Sequence, residues 1–285
     1  MKPFLRTRAY DGPVRAVVLD WAGTAVDHGC LGPAAVFVQA FALHGVEVSV
    51  AEAREPMGSE KREHVRRMLA MEGVASRWRA AHGRMPGEAE VDAVYRDVEP
   101  LMLRTIAAHA APVPGLAEFV DKVRGRGMGL GSCTGYTGPM MEVLAPEAAR
   151  QGYTPDVVVH ASEVPAGRPY PWMCYLNAMR LGVHPMESMV KIGDTVADMH
   201  EGRNAGMWTV GVVRTGNDVG LSEVDAARMD PGSLTERMAV AAARLRQAGA
   251  HYVVDSIADC FSVIEAIEER LARGEAPCAA PHAPL

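Results

Sequence analysis

Residues 14–30 read VRAVVLDWAGTAVDHGC, and this stretch contains the first predicted strand and the polar residues that follow it. The run from Val14 to Leu19 is short and mainly apolar, and Asp20 follows it directly. This pattern predicts a buried β-strand over Val14–Asp20. The first element of the protein is therefore expected to be a strand that ends in a carboxylate.

Similar apolar runs recur along the chain, and amphipathic stretches of helical length lie between them. The further predicted strands are Met128–Ser132, Asp156–His160, Met189–Asp194, Trp208–Val213 and His251–Val254. The predicted helices between them are Leu116–Arg126, Thr137–Gln151, Pro171–Leu181, Thr195–Ala205, Ser233–Ala248 and Ser256–Arg273. Strands that alternate with helices need crossover connections, which produce a parallel sheet covered on both faces. The sequence therefore predicts an α/β fold.

The stretch from Leu31 to Ala111 interrupts this alternation. It contains three helical patterns and no convincing strand: Pro33–His44, Ser59–Met71 and Glu88–Ala108. A segment of about 80 residues is too long for a crossover loop, so it predicts a helical domain inserted after the first strand. We therefore expect an α/β core from residues 1–29 and 110–273, a helical domain over 30–109 and a disordered tail over 274–285. Residues 215–231 are predicted to be a loop.

Composition and charge restrict the possible partners. The net charge is −6 and no long basic run occurs, which argues against nucleic acid or an anionic membrane as the main partner. The five cysteines are scattered and odd in number, which is typical of free thiols in a reducing compartment. No signal peptide and no apolar run of about 20 residues are evident, so we expect a cytoplasmic protein with a small-molecule substrate.

Polar residues at the strand ends carry the chemistry, because ligands of a parallel sheet bind beyond the carboxyl ends of its strands. Asp20, Thr134 and Asp194 stand at such ends, and Arg168 and Asp198 lie near them in sequence. Converging carboxylates repel one another unless they share a cation, and hard oxygen ligands suit Mg²⁺. The hydroxyl and the guanidinium could hold phosphoryl oxygens, and a carboxylate could attack phosphorus. A single Asp at a strand end could instead be a helix cap.

The order of these residues resembles the four motifs of the haloacid dehalogenase (HAD) superfamily. Asp20 matches the nucleophile, Thr134 the hydroxyl motif and Arg168 the basic motif, while Asp194 and Asp198 match the acidic motif. The resemblance covers nearly the whole chain. It implies a Rossmann-like core, Mg²⁺, a phospho-aspartyl intermediate on Asp20 and a helical cap domain that closes over the site.

One position departs from the usual pattern of HAD phosphatases. These enzymes carry a second Asp two residues after the nucleophile, where it protonates the departing alkoxide, but here that position is Ala22. A methyl group cannot donate a proton, so hydrolysis of an ordinary ester would lose its general acid. The leaving group of this protein is therefore expected to need another kind of assistance.

The helical insertion offers a candidate for that assistance. Residues 56–64 read PMGSEKREH and predict a helix start with Ser59 as a possible cap, where Lys61 and His64 share one face; Met57 joins them if the helix includes it. A primary amine can condense with an aldehyde to form an iminium, which accepts electrons from a carbanionic leaving group. Arginine cannot do this. Spacing alone also allows Lys61 and His64 an ordinary surface or packing role.

Five long stretches resemble the phosphonoacetaldehyde hydrolase family: DWAGTAVDHGC, EPMGSEKREHV, CTGYTGPMM, PAGRPYPWMCY and GDTVADMHEGRNAGMWTVGV. The resemblance implies cleavage of the carbon–phosphorus bond of phosphonoacetaldehyde by a homodimeric enzyme. It implies a Schiff base on Lys61, catalytic assistance from His64, and Mg²⁺ contacts from Asp20, the Ala22 carbonyl and Asp194, with Asp198 in support. It also implies substrate contacts from Cys30, Met57, Thr134, Gly135, Tyr136 and Arg168.

Two other functions remain open on the sequence. A HAD phosphatase or phosphomutase would use the same core on a P–O bond, but it predicts a proton donor at the position of Ala22. A non-catalytic HAD-like binding module predicts loss of the nucleophile or of the acidic motif, whereas Asp20, Asp194 and Asp198 are all present. Both alternatives explain the residues less completely than cleavage of a P–C bond.

Overall fold

The computed structural model describes residues 9–277. The strands are β1 Ala16–Leu19, β2 Gly129–Thr134, β3 Val157–His160, β4 Met189–Gly193, β5 Trp208–Val212 and β6 Tyr252–Val254. The helices are α1 Leu31–Leu43, α2 Val50–Arg54, α3 Lys61–Ala70, α4 Glu72–His82, α5 Glu88–Thr105, α6 Leu116–Gly125, α7 Gly138–Arg150, α8 Trp172–Leu181, α9 Val196–Ala205, α10 Glu223–Arg228, α11 Pro231–Gln247 and α12 Cys260–Ala272. Short 3₁₀ turns occupy Ile106–His109, Ala161–Glu163, Met186–Ser188 and Ile257–Asp259.

The six strands form one sheet in the order β3-β2-β1-β4-β5-β6, and every neighbouring pair is parallel. The first strand lies in the middle, where Leu19 pairs with Ser132 of β2 and with Ile192 of β4. The residues that follow these three positions therefore emerge side by side at the carboxyl edge. The predicted α/β fold with a parallel sheet is confirmed.

Strand β1 is apolar throughout because both of its faces are covered. Ala16 and Val18 belong to a core cluster with residues of α8, whereas Val17 and Leu19 belong to a larger cluster with residues of α6, α7 and α12. None of these four side chains is exposed to solvent. A continuous apolar run is what a parallel strand covered on both sides requires.

Helices α1 to α5 lie between β1 and α6, the helix that precedes β2, and are called the inserted helices below. Helix α1 packs on α5, and α5 packs on α3. Phe37 and Phe41 of α1 and Val94 and Val98 of α5 are buried in the same cluster as Leu19. The inserted helices are thus joined to the sheet by continuous apolar packing.

The prediction missed three helices in and after this insertion and placed one helix cap at the wrong residue. The sequence predicted three helices there, but α2 and α4 are additional, and α10 lies inside the predicted loop 215–231. These helices have 5, 11 and 6 residues, and so few turns give a weak periodic signal. The cap of α3 is Glu60 rather than Ser59: its carboxylate accepts from the backbone N–H groups of Arg62 and Glu63. Met57 therefore lies outside the helix.

The predicted tail divides between described and undescribed residues. In residues 274–277, Glu275 pairs with Arg270 and the Pro277 carbonyl accepts from Arg203, so disorder does not extend to these four. Residues 278–285, which include Cys278, lie outside the described part. Within the described part the four cysteines are buried free thiols, and none of the helices has the length and apolar character needed to cross a bilayer.

Candidate active site

The carboxyl edge of the sheet and the inserted helices enclose a small cavity. Asp20 and Thr134 reach it from the ends of β1 and β2, and Lys61 reaches it from the start of α3. The complete lining is Asp20, Ala22, Cys30, Pro33, Met57, Gly58, Lys61, Thr134, Gly135, Tyr136, Arg168 and Thr195. The structure thus brings together residues that are far apart in the sequence.

Asp20, which lines this cavity, also belongs to a cluster of three buried carboxylates. One oxygen from each of Asp20, Asp194 and Asp198 lies within 4.8 Å of the other two. Burial, followed by the charges of Asp20 and Asp198, raises the pKa of Asp194 well above its ordinary value. A cation would remove this penalty, and an all-oxygen donor set fits a hard ion such as Mg²⁺. The residues present therefore fit a divalent metal ion.

Asp194 is held by two further contacts from separate parts of the chain. Thr24 Oγ1 donates to Oδ1 at 2.7 Å, and the backbone N–H of Asn217 donates to Oδ2 at 2.8 Å. Gly23 allows this approach, because a Cβ there would lie 2.4 Å from Asp194 Oδ2 and its φ is +88°. Only glycine adopts that backbone conformation without strain. The turn after Asp20 is thus built to receive Asp194.

Asp198 has a different environment from the other two acids. Lys191 Nζ lies 2.8 Å from its Oδ1, and a guanidinium nitrogen of Arg168 lies 3.2 Å away. Burial raises the pKa of Asp198, but these two cations outweigh burial and lower it. Asp198 also receives the backbone N–H of Thr195 and so helps to cap α9. Its charge is already balanced by protein cations.

Arg168 connects the nucleophile candidate to this buried ionic cluster. Its Nη2 donates to Asp20 Oδ1 at 2.7 Å, and its Nε donates to Glu201 at 2.8 Å. Its Nη1 donates to the carbonyl of Gly58, which precedes α3, at 3.2 Å. One guanidinium therefore contacts the sheet edge, α9 and the inserted helices.

Lys61 is the first residue of α3, and 4% of it is exposed. Its Nζ lies 4.5 Å from the centroid of the Tyr136 ring and 5.8 Å from that of the Phe37 ring. Burial lowers the pKa of Lys61, although the Cys30 and Asp20 charges oppose this. A buried amine between aromatic rings is well suited to being neutral, as a nucleophilic lysine must be.

His64 lies beside the cavity but does not line it. Its ring stacks on Phe37 with centroids 3.7 Å apart, and Nε2 donates to the Ala53 carbonyl at 2.9 Å. Burial, and after it the charge of Lys61, lowers the pKa of His64 well below its ordinary value. Burial thus favours the neutral imidazole, and its contacts with Phe37 and the Ala53 carbonyl join α1, α2 and α3.

Comparison with known proteins adds independent information. Residues 14–206 match the model of the haloacid dehalogenase-like hydrolases. The chain is 90% identical to a phosphonoacetaldehyde hydrolase of Nitratidesulfovibrio vulgaris, with 97% of this chain and 99% of that protein covered. The chain belongs to the phosphonoacetaldehyde hydrolase family.

More distant members of the phosphonoacetaldehyde hydrolase family agree in length and fold. A Bacillus cereus phosphonoacetaldehyde hydrolase is 47% identical, with 90% of this chain and 97% of that protein covered. The crystal structure of a phosphonoacetaldehyde hydrolase-like protein from Oleispira antarctica superimposes with a TM-score of 0.93 at 41% identity, over 97% of this chain and all of that one. The resemblance inferred from the motifs is confirmed.

Two charged residues of the buried ionic cluster, Lys191 and Glu201, were not predicted from the sequence. Lys191 lies in the middle of β4, and its Nζ contacts Asp198, Glu201 and the Cys133 sulfur at 2.8, 3.3 and 3.0 Å. The sequence could have indicated Lys191, because a lysine in the middle of the apolar strand MVKIG needs a buried partner for its charge. Glu201 stands one turn after Asp198 on α9, so helical spacing could have indicated it.

Proposed function

We propose that this protein hydrolyses the carbon–phosphorus bond of phosphonoacetaldehyde to acetaldehyde and phosphate, with an imine on Lys61 and a phospho-aspartyl intermediate on Asp20. The observation that carries the proposal is that a buried carboxylate and a buried amine line one cavity. Members of the family bear the name of this activity. Ala22, where a phosphatase needs its acid, fits a leaving group that departs as carbon.

In the proposed reaction the phosphonate binds beside Arg168 and Thr134, and the aldehyde lies near Lys61. The neutral amine adds to the aldehyde carbon, loss of water leaves an imine, and uptake of a proton by its nitrogen gives the iminium. Asp20 then attacks phosphorus, and the electron pair of the P–C bond moves into the iminium to give an enamine. Mg²⁺ bound by Asp20, Asp194 and the Ala22 carbonyl would supply charge neutralisation at the phosphoryl oxygens.

The second half of the reaction returns the protein to its starting state. Water cleaves the aspartyl phosphate, which releases phosphate and restores Asp20. The enamine is protonated on carbon and hydrolysed, which releases acetaldehyde and the amine of Lys61. Because the imidazole of His64 does not line the cavity, its part in the proton transfers would be indirect, through the position of α3. Residues 30–109 would act as a cap that excludes water during these steps.

Borohydride trapping tests the covalent step directly. Reduction of the protein in the presence of phosphonoacetaldehyde should attach one two-carbon or phosphonoethyl group to Lys61, which peptide mass spectrometry can locate. Lys122→Arg should leave trapping unchanged, because that side chain pairs with Glu118 on the exposed face of α6. An active enzyme that yields no adduct on Lys61 would exclude the imine.

Comparison of substrates separates the proposal from its nearest rival. A phosphatase or phosphomutase acting on P–O bonds should process simple phosphate esters faster than phosphonoacetaldehyde, whereas we expect the reverse. Absence of metal-dependent phosphate release from every substrate would favour a binding module. The family resemblance also leads us to expect a cytoplasmic homodimer, and sedimentation equilibrium would measure the assembly.

A further inference from the structure

The loop after β5, residues 213–221, contacts both the segment that follows Asp20, residues 21–30, and the inserted helices. Its Asn217 donates a backbone N–H to Asp194 Oδ2 at 2.8 Å. Its Thr215 hydroxyl donates to the Gly23 carbonyl at 2.6 Å, and its Thr215 carbonyl accepts from the N–H of Gly29 at 2.7 Å. The position of this loop thus fixes one of the hydrogen bonds that orient the Asp194 carboxylate.

The inserted helices hold the same loop through Arg54, the last residue of α2. Its Nη1 donates to the Asn217 carbonyl at 2.9 Å, to Asn217 Oδ1 at 3.1 Å and to the Gly29 carbonyl at 2.8 Å. In return, Asn217 Nδ2 donates to the Arg54 carbonyl at 3.1 Å. Arg54 and Asn217 therefore each donate hydrogen bonds to the other. The backbone N–H of Asn217 in turn donates to Asp194.

From these contacts we infer that Arg54 and Asn217 are positioning residues that couple docking of the inserted helices to the metal affinity of Asp194. When the helices are docked, the arginine fixes Asn217, whose N–H then holds Oδ2 in one orientation. Partners that orient metal ligands are typically worth about 10- to 100-fold in affinity. The inference rests on the proposed metal site, and it goes further by assigning regulation of that site to a residue of the insertion.

The coupling must act in both directions. If docking strengthens metal binding, then metal binding must stabilise docking by the same factor, because the two equilibria share one thermodynamic cycle. The metal-bound protein is therefore expected to keep α2 closed against the loop more of the time. A contact that merely fastened the two parts together would not depend on the metal.

A second contact between the same elements provides a matched control. Arg244 of α11 pairs with Glu55 at 3.1 Å and with Asp218 at 3.3 Å, so it also joins the end of α2 to the loop. The Glu55 carboxylate is 59% exposed, and it has no contact with Asp194 among the hydrogen bonds and ion pairs of the described residues. Glu55→Gln therefore weakens the same interface without reaching the metal ligands.

The test measures Mg²⁺ binding by calorimetry in the full-length protein without substrate. Arg54→Ala should raise the dissociation constant at least about tenfold, and Glu55→Gln should change it less than twofold. Asn217→Ala should also weaken binding, and it decides the matter if Arg54→Ala does not fold. If both Arg54→Ala and Asn217→Ala bind Mg²⁺ as tightly as wild type, the inference is overturned but the proposed metal site is not. If wild type itself binds no Mg²⁺, the proposed metal site is overturned as well.

Two further measurements distinguish positioning from general weakening. In Arg54→Ala the Mg²⁺ concentration for half-maximal turnover should rise about as much as the dissociation constant, while kcat at saturating Mg²⁺ stays within a few-fold of wild type. Hydrogen exchange of the α2 amides should slow when Mg²⁺ is added to wild type but not to Arg54→Ala. An equal slowing in both proteins would contradict the coupling.

Discussion

The three acids of the site show how position determines the behaviour of identical side chains. Asp194 is buried near two other carboxylates, and its pKa is raised well above the usual value. Asp198 is equally buried but lies between Lys191 and Arg168, and its pKa is lowered. The pKa of Asp20 is raised by burial, although Arg168 opposes the change. Arg168 also pairs with Asp20 at 2.7 Å, so among the described residues Asp194 is the acid of the three that has no ion pair with a protein cation and gains most from a metal ion.

Lys61→Arg should abolish turnover while it preserves a positive charge. A guanidinium does not form an imine, so the variant should lose at least about 10³-fold in kcat/KM because its covalent step is absent. The measurement is phosphate release from phosphonoacetaldehyde, with Lys122→Arg as the control that should retain activity. Turnover by Lys61→Arg within tenfold of wild type would contradict the assigned role.

His64 should make the folded protein sensitive to acid. Its pKa is lowered by burial, so between pH 6.5 and that lower value the unfolded chain takes up a proton that the folded chain does not. The free energy of unfolding should therefore fall as the pH falls through this window, at up to about 1.4 kcal/mol per pH unit.

Removal of the titrating ring should flatten this dependence. His64→Asn keeps a donor for the Ala53 carbonyl but has no proton to bind in this range, so its unfolding free energy should be lower than that of wild type and should change less with pH. Urea unfolding of both proteins between pH 5 and 7 measures this. Parallel pH profiles would refute the assignment of the acid sensitivity to His64.

At the scale of the element, the start of α3 determines where the amine lies. Glu60 caps the helix, so Lys61 is its first residue and projects from the end nearest the sheet. The segment before α3 packs closely on the loop after β2. A Cβ on Gly135 would lie only 2.4 Å from the Ser59 carbonyl oxygen. The approach of Lys61 to Asp20 therefore depends on a glycine in the loop after β2.

Gly135→Ala should separate α3 from the sheet edge. Its methyl group would meet backbone rather than a flexible side chain, so the segment before α3 must move, and we expect kcat/KM to fall roughly 10- to 100-fold through misplacement of reacting groups. Gly125→Ala is the control, since a Cβ there meets nothing within 4 Å. Equal activity of the two variants would show that this close contact is unimportant for catalysis.

At the scale of the molecule, the strand order gathers the site. Strand β1 lies between β2 and β4, so Asp20, Thr134 and Asp194 leave the sheet at one edge although they span 175 residues of sequence. The inserted helices close over that edge and bury both Asp20 and Lys61. Charges that water would otherwise solvate are thus held inside the protein.

Mg²⁺ should consequently stabilise the whole fold. An ion that binds only the folded state at 100 times its dissociation constant adds about 2.7 kcal/mol, which corresponds to a rise in Tm of about 4 to 5 °C for a chain of this size. Thermal unfolding in Mg²⁺ and in a chelator measures the effect.

Asp194→Asn provides the complementary test. The amide removes one of the mutually repelling charges, so the metal-free variant should be more stable than metal-free wild type, and Mg²⁺ should no longer raise its Tm. A Mg²⁺-dependent shift of wild-type size in this variant would place the ion elsewhere.

The α/β class, the six strands, the helical insertion and the family were all predictable from the order of the residues. Buried parallel strands are continuous apolar runs in the sequence. The acids at the strand ends lie within long, specific sequence stretches, so both features can be recognised without the structure. Short helices such as α2 and α10 left too little periodicity to be recognised.

The pairing of the buried charges, in contrast, could not be predicted without the folded arrangement. Lys191 and Glu201 become partners of Asp198, His64 turns away from the cavity onto Phe37, and Arg54 reaches Asp194 through the backbone of Asn217. The physical reason is that pKa and ligand geometry depend on distances of a few ångström and on burial. Both are set by packing between segments that are distant in sequence, and no local pattern records them.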